Sequence, residues 1–134
     1  MTVFITLLAL LMAGTAFAAD TTCTQATTQA DLDRCMSAAA AAKQKRLDAL
    51  LAELKRSLMP EARNLLEQSQ AAWDKSRKLD CEIEASFFAG GSIQPTIVSG
   101  CYVQHTSDRI NRLRYYLCPD YAMTGDCEAA AKYK

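Results

Sequence analysis

Six cysteines restrict the possible folds of this chain more than any other feature of its sequence. They follow an apolar leader, and their even number predicts disulfide bonds in an oxidising compartment. The sequence contains no C-x-x-C pair and a single histidine, His105, which argues against a bound metal and against covalently attached haem. We therefore predict a disulfide-linked domain without metal or cofactor, its cysteines being Cys23, Cys35, Cys81, Cys101, Cys118 and Cys127.

Several disulfide pairings are compatible with the spacing of these cysteines. Pairing of sequence neighbours is the simplest, and the last pair is favoured most, because it closes a short loop that contains Pro119 and Gly125. A helical hairpin that turns near residue 58 would instead place Cys35 and Cys81 at the same end. The favoured disulfides are Cys23–Cys35, Cys81–Cys101 and Cys118–Cys127. The alternative pairing of Cys35 with Cys81 and of Cys23 with Cys101 stays open.

The leader has the pattern of a secretory signal peptide. An apolar run from Phe4 to Phe17 ends in the small-residue pattern Ala16-Phe17-Ala18, although no lysine or arginine precedes it. The run is shorter than the ~20 residues of a membrane span and is followed by the polar residue Asp20. We predict a signal peptide over residues 1–18, a single exported domain over residues 19–134, a periplasmic location and no membrane anchor after cleavage.

Charge and motif content point to protein binding. Fifteen basic residues balance fifteen acidic ones, so the chain is not steered electrostatically to nucleic acid. No G-x-S-x-G or H-E-x-x-H pattern is present, and His105 has no partner motif for acid–base chemistry. The sequence predicts a binding protein with a protein partner, and not an enzyme; it leaves the oligomeric state open.

The first part of the domain has the pattern of two helices. Thr28 and Asp31 resemble a capping box, which predicts a helix start near residue 29. Pro60 should interrupt that helix and begin a second one, which runs to about Ala89. An antiparallel hairpin is favoured over one long kinked helix, because it buries the leucine stripe formed by Leu47, Leu50, Leu51, Leu54 and Leu58.

A loop and a third helix follow. Gly90-Gly91 should end the second helix, and residues 90–99 should form the main loop of the domain. A third helix is expected from about Ser99 to Leu117, with residues 118–134 forming a small disulfide loop and one last helical turn. The predicted fold class is all-α, a small three-helix bundle with an antiparallel hairpin, linked by disulfides.

Two groups of spaced residues carry a family resemblance. Gln70, Trp73, Arg77 and Cys81 are three, four and four residues apart, so they share one helix face. The third helix contributes a second group, Cys101, Thr106, Arg109 and Leu113. With Cys23, Cys35 and the Gly90-Gly91-Ser92 sequence, these groups resemble the N-terminal domain of the LprI-type lysozyme-inhibitor family over about residues 23–117.

The resemblance implies a secreted, helical, disulfide-linked domain and, for some members, inhibition of lysozyme. This sequence departs from the usual pattern on the first helix, where Asp48 and Leu51 replace an asparagine and a tyrosine. Lys78 stands where an acidic residue often follows the helix-two arginine, and the Cys118–Cys127 loop looks like an addition.

The motif residues are interpreted mainly as structural. Trp73, on an apolar stripe, is expected in the core, and Gln70, Arg77 and Thr106 are expected to have structural roles. Arg77 and Arg109 could bind an anionic group, but structural pairing with Asp80, Glu84 or Asp108, or with carbonyl groups at a helix end, is favoured.

The candidate binding residues lie in and near the predicted loop. A Cys81–Cys101 bridge would fasten both ends of this loop and lower the entropy lost on binding. The first hypothesis is a lysozyme inhibitor that occludes the catalytic cleft; the alternative is a non-inhibitory interaction or stress-response module of the envelope. The candidate partner-binding residues are Gly90, Gly91, Ser92, Gln94 and Arg109.

Overall fold

A computed structural model describes residues 23–134, which form an all-helical bundle. The predicted signal peptide lies outside the described residues. The helices are α1 (Gln29–Ser57), α2 (Pro60–Ser86), α3 (Gln94–Leu113) and the short α4 (Glu128–Ala131), with a 3₁₀ turn over Arg114–Leu117. No strand occurs in this part of the chain. The predicted fold class is therefore confirmed.

Capping and proline define the α1–α2 hairpin. The Thr28 side chain accepts a hydrogen bond from the Asp31 backbone N–H at 3.1 Å, which satisfies a free donor at the start of α1. Leu58 and Met59 have extended backbone, and Pro60 occupies the first turn of α2. The chain therefore forms two helices that reverse at residues 58–59, as predicted, and not one kinked helix.

The start of α3 differs from the sequence-based expectation. The predicted loop over residues 90–99 is wrong in its second half, because α3 begins at Gln94 and not near Ser99. Pro95 lies in the first turn of α3, where its missing N–H removes no helical hydrogen bond. The connection between α2 and α3 is thus a short turn over residues 87–93. At its other end, α3 stops at Leu113 and the chain continues as the 3₁₀ turn.

Helix α3 packs against both of the other long helices. Near its start, Thr96 Oγ1 accepts a hydrogen bond from Gln29 Nε2 of α1 at 2.7 Å. The Cys81–Cys101 disulfide joins the end of α2 to the first half of α3. Helix α3 therefore runs parallel to α1 and antiparallel to α2.

The core fills one end of this bundle. Leu47, Leu50 and Leu54 of α1 are fully buried against apolar side chains of α2 and α3, Leu51 is partly buried beside them, and Tyr133 near the C-terminus closes the cluster. Burying one such side chain stabilises the fold by about 1.5–3 kcal/mol. The buried cluster consists of Leu47, Leu50, Leu54, Leu66, Ile110, Leu113 and Tyr133.

The three disulfides join sequence neighbours. Their separations of 12, 20 and 9 residues correspond to the favoured pairing, and the Cys35–Cys81 alternative is not formed. Each short loop closed in this way contributes about 3 kcal/mol on a chain-entropy estimate. The bonds are Cys23–Cys35, Cys81–Cys101 and Cys118–Cys127.

Arg114 holds the C-terminal segment against the bundle. Its buried guanidinium donates to both carboxylate oxygens of Asp126, at 2.8 and 2.9 Å, and to the Tyr115 hydroxyl at 2.7 Å. The Tyr133 hydroxyl donates to Glu53 Oε2 of α1 at 2.7 Å. The segment after α3 is therefore held together by the Arg114–Asp126 ion pair, and a hydrogen bond from Tyr133 to Glu53 joins it to α1, in addition to apolar burial.

The ion pairs of Asp126 with Arg114 and Lys134 predict a loss of stability in acid. Hydrogen bonds from Arg114 and then Lys134 lower the pKa of Asp126 below its ordinary value of 3.8. A lowered folded-state pKa stabilises the fold above the unfolded pKa, and this contribution is lost as the pH falls through the folded pKa. We expect the melting temperature to drop below about pH 4, where carboxylates begin to protonate.

Thermal melts of native protein and of the Asp126→Asn variant, recorded from neutral pH to strong acid, test this expectation. The variant should melt at a lower temperature at neutral pH and show a smaller further decrease in acid. Equal decreases in both proteins would contradict a role for Asp126 in acid sensitivity.

Candidate binding surface

The Arg77 side chain lies at the centre of the bundle, 8% exposed. Its Nη1 donates to Gln44 Oε1 of α1 and to Thr106 Oγ1 of α3, both at 2.8 Å. Its Nη2 donates to Asp74 Oδ1, one turn earlier on α2, at 3.0 Å. One guanidinium therefore connects all three long helices.

Two aromatic rings enclose the same guanidinium. The Arg77 Cζ atom lies 4.4 Å from the Trp73 ring centroid and 4.7 Å from the Tyr102 ring centroid. Such cation–π contacts contribute about 0.5–2 kcal/mol each, depending on desolvation. Both terminal nitrogens of this guanidinium, Nη1 and Nη2, already donate hydrogen bonds within the bundle, so the geometry favours a structural role for Arg77.

The predicted ion-pair partners of Arg77 need correction. Asp80 accepts a hydrogen bond from Ser76, and Glu84 forms no ion pair within residues 23–134. The acidic partner is Asp74, which lies three residues before Arg77 on the same helix. Helical spacing alone does not distinguish Asp74 from Asp80, because both residues lie three positions from Arg77.

Arg109 has a different environment. Its Nε donates to Gln70 Oε1 at 3.1 Å, its Nη2 donates to Ser69 Oγ at 2.9 Å, and its Cζ lies 5.5 Å from the Trp73 ring centroid. Within residues 23–134 no carboxylate lies at ion-pair distance from it, and the predicted partner Asp108 accepts from Gln104 instead. Burial lowers the pKa of Arg109 from its ordinary value. Arg109 is thus a half-buried cation with neutral hydrogen-bond partners.

The candidate residues on the glycine turn lie together at the end of the bundle. Gly90 has a φ of +77°, which favours glycine, and its N–H donates to Gln94 Oε1 at 3.4 Å. The Gly91 N–H donates to the Phe88 carbonyl at 2.9 Å. The Ser92 hydroxyl and the Gln94 amide NH₂ donate no hydrogen bond within residues 23–134. These two side chains remain available as donors to a partner.

The structure separates Arg109 from this turn. Arg109 follows Gln94 by fifteen residues on the same helix. At a rise of about 1.5 Å per residue, the two positions are roughly 22 Å apart along α3. The expectation that Arg109 lies near the turn residues is therefore wrong, and the candidates belong to two surfaces.

Exposed apolar side chains surround the turn, and the sequence interpretation did not select them. Phe87 is 80% exposed and Ile83, one helical turn earlier, is 59% exposed. Phe88 and Ile93 are also exposed. Large apolar side chains in this position are characteristic of interaction sites. The Phe87-Phe88 pair directly before the double glycine is the sequence signal that could have identified them.

His105 lies beside the disulfide that joins α2 to α3. One of its ring nitrogens and the sulfurs of Cys81 and Cys101 are all within 4.8 Å of one another. Because the two sulfurs are bonded to each other, neither is a thiolate that could bind a metal. This group of residues therefore provides no metal site in its oxidised form.

A family model described as "Lysozyme inhibitor LprI" matches residues 19–113, most of the chain. The protein belongs to the LprI family. This identification confirms the resemblance found in the sequence, and the matched region contains both motif groups and the glycine turn. The LprI family is a family of inhibitors and not of enzymes.

Neither the curated proteins nor the solved structures provide a significant match to this LprI-family chain. The three disulfides and the family together indicate an extracytoplasmic protein. Within residues 23–134, all helices are too short or too polar to span a bilayer.

Proposed function

We propose that this LprI-family protein is exported to the periplasm through a signal peptide over residues 1–18 and inhibits a lysozyme there, which protects the cell wall. The family membership supports inhibition in general. The disulfides suit an oxidising compartment. We further propose that the molecule acts by binding alone and carries out no catalysis of its own.

The turn between α2 and α3 is our proposed inhibitory element. Lysozymes hydrolyse glycosidic bonds with two carboxyl groups that flank the substrate in a cleft. A surface that blocks a cleft must be convex, and the turn over residues 87–93 lies at the end of the bundle with Phe87 80% exposed. That exposed phenylalanine beside free polar donors is the observation that carries this proposal.

The polar part of the turn suits carboxyl groups. The Ser92 hydroxyl and the Gln94 amide can each donate a hydrogen bond to a carboxylate oxygen, and such charge-assisted bonds are stronger than neutral ones. Phe87 and Ile93 would bury apolar area around them. Aromatic side chains are enriched among the residues that dominate binding energy in protein interfaces.

The base of the turn is rigid. The Cys81–Cys101 disulfide crosses from α2 to α3 behind it. Thr96, in the first turn of α3, donates a hydrogen bond to Asp33 of α1, so the start of α3 is fixed to the bundle. A turn held in its bound conformation loses less entropy on binding, which favours tight association.

The test measures the rate of cell-wall lysis by lysozyme while the oxidised protein is titrated into the reaction. Chicken-type, goose-type and invertebrate-type lysozymes are compared. We expect saturable inhibition of at least one type, and a concentration for half-inhibition that rises by about tenfold or more in a Phe87→Ser variant. Met59→Ser is the matched control, because Met59 is a similarly exposed apolar residue in the turn at the opposite end of the bundle.

Absence of inhibition for all three lysozymes would reject the inhibitor proposal. Equal inhibition by native protein and the Phe87→Ser variant would instead reject the turn as the inhibitory element.

The second candidate function is a non-inhibitory interaction module of the cell envelope. The observation that favours it is a row of exposed apolar residues at intervals of four, formed by Leu79 and Ile83 on α2 and by Phe87 directly after the helix. A photo-crosslinking residue at position 79 would then capture one specific envelope protein. Loss of that crosslink in an Ile83→Ser variant, with lysozyme inhibition absent, would distinguish this function from the first.

A further inference from the structure

A second concave surface lies between the first half of α2 and the segment that follows α3. It is a groove of about 640 Å³, within the range of roughly 300–1,000 Å³ that is usual for small-molecule sites. The floor and the α2 wall are apolar, and Leu65 is 61% exposed in this wall. The lining residues used below are Leu65, Ser69, Tyr116, Asp120 and Tyr121.

The opposite wall, formed by residues that follow α3, is held in one backbone conformation. Tyr121 and Ala122 have φ values of 54° and 60°, in the left-handed region that residues with side chains seldom adopt. Such conformations persist where the surrounding structure enforces them. Here the enforcing contacts are the Cys118–Cys127 disulfide and the hydrogen bond from the Ala122 N–H to Asp120 Oδ1 at 3.0 Å.

Two tyrosines belong to this wall. The rings of Tyr116 and Tyr121 stack with their centroids 5.3 Å apart and their planes at 24°. Both side chains remain more than a third exposed. The family match ends at Leu113, so this wall lies outside it. The groove is therefore formed jointly by the family fold and by a C-terminal addition.

A cation stands at the rim of the groove. Ser69 lines the groove, and its Oγ accepts a hydrogen bond from Arg109 Nη2 at 2.9 Å. Arg109 has only neutral hydrogen-bond partners within residues 23–134. The carboxylate in the lining, Asp120, already accepts from the Ala122 N–H and the Thr124 hydroxyl. An anionic ligand would therefore be attracted to the Ser69 side and repelled by Asp120.

We propose that this groove binds a small amphiphile that has a carboxylate head group and an aliphatic tail. The head group pairs with Arg109 beside Ser69. The tail lies along Leu65 and contacts the Tyr116–Tyr121 pair. Charge complementarity selects the head group, since a guanidinium binds a carboxylate through two parallel hydrogen bonds. This proposal does not rest on lysozyme inhibition, because the groove and the α2–α3 turn are different surfaces.

The first test is calorimetric titration of the oxidised protein with dodecanoate, below the concentration at which the probe forms micelles. Dodecanol, which lacks the charge, and butanoate, which lacks most of the tail, are the comparison probes. We expect saturable one-to-one binding of dodecanoate and affinities at least about tenfold weaker for both comparison probes. The fluorescence of Trp73, the one tryptophan of the chain, should change in parallel, because its ring is 5.5 Å from Arg109.

Three variants locate the site. Arg109→Gln should weaken dodecanoate binding by about tenfold or more while dodecanol binding changes little. Leu65→Gln should weaken the binding of both probes. Because the Leu65 side chain is exposed, this substitution should leave the fold intact. Arg112→Gln is the matched control, since Arg112 is an exposed arginine one turn later on α3, and it should bind dodecanoate as the native protein does.

Each remaining outcome overturns the proposal. Equal affinity for dodecanoate and dodecanol would exclude recognition of the carboxylate. Unchanged binding in a folded Arg109→Gln variant would place the head group elsewhere. No binding of dodecanoate by the native protein would exclude the ligand class.

Discussion

Replacing Arg77 with leucine is expected to lower the free energy of unfolding by about 2–4 kcal/mol. The substitution removes two hydrogen bonds of 2.8 Å, to Gln44 and Thr106, and the ion pair with Asp74. Thr106 is 1% exposed, so its hydroxyl would lose a buried partner that water cannot easily replace. Stacking on Trp73 and Tyr102 is lost as well.

Urea denaturation followed by far-ultraviolet circular dichroism measures this change. Arg77→Lys should lie between the native protein and Arg77→Leu, because lysine keeps the charge but not the planar fork that reaches two acceptors. Arg112→Leu, at an exposed position, should change the free energy by less than about 0.5 kcal/mol. A stable Arg77→Leu protein that had lost partner binding would show that Arg77 acts in recognition and contradict its structural role.

Replacing Leu50 with alanine is expected to cost about 3–5 kcal/mol of stability. Leu50 is fully buried on α1, between Leu47 and Leu54 in the cluster that includes Ile110 and Leu113. Alanine would remove apolar surface from this contact and leave a cavity, because α1 is fixed by packing along its length and cannot collapse into the space.

The same urea titration measures this loss of stability. An unchanged slope of the unfolding transition shows that the variant still unfolds in two states. Leu79→Ala is the control, since Leu79 is a half-exposed leucine on α2, and it should cost under about 1 kcal/mol. If Leu50→Ala and Leu79→Ala had similar effects, the α1 stripe would not form the core described above.

Sequence reasoning succeeded where local chemistry decides the structure. The Thr28 cap and Pro60 each act within one helical turn, so the start of α1 and the α1–α2 reversal could be read from neighbouring residues. The leucine stripe of α1 identified the core for a similar reason, because its spacing is a property of one helix.

The start of α3 shows where this reasoning fails. Residues 90–99 have the composition of a loop, and glycine, serine and proline there favour turns. The chain is nevertheless helical from Gln94, and Thr96 forms hydrogen bonds with Gln29 and Asp33 of α1 that stabilise the first turn of α3. Contacts between residues more than sixty positions apart thus override the local preference.

The candidate site was only partly accessible to sequence reasoning. The shared face of Trp73 and Arg77 follows from helical spacing, and their stacking is observed. Gln44 of α1 and Tyr102 of α3 also contact Arg77, and these contacts depend on how the three long helices pack together. The distance between Arg109 and the glycine turn likewise depended on where α3 begins.

The sequence favoured the neighbour pairing of the cysteines but left an alternative pairing open. By itself, the sequence determined the start of α1, the reversal between α1 and α2, and the leucine stripe that forms the core. It determined them because capping, proline geometry and helical periodicity operate over a few residues. Only the tertiary structure decided that Arg77 connects α1, α2 and α3, that Arg109 lacks a carboxylate partner within residues 23–134, and that the C-terminal tyrosines form a groove with α2. These features depend on which helix faces meet, and that choice is made by packing the whole chain at once, since each helix can bury its apolar stripe in several arrangements.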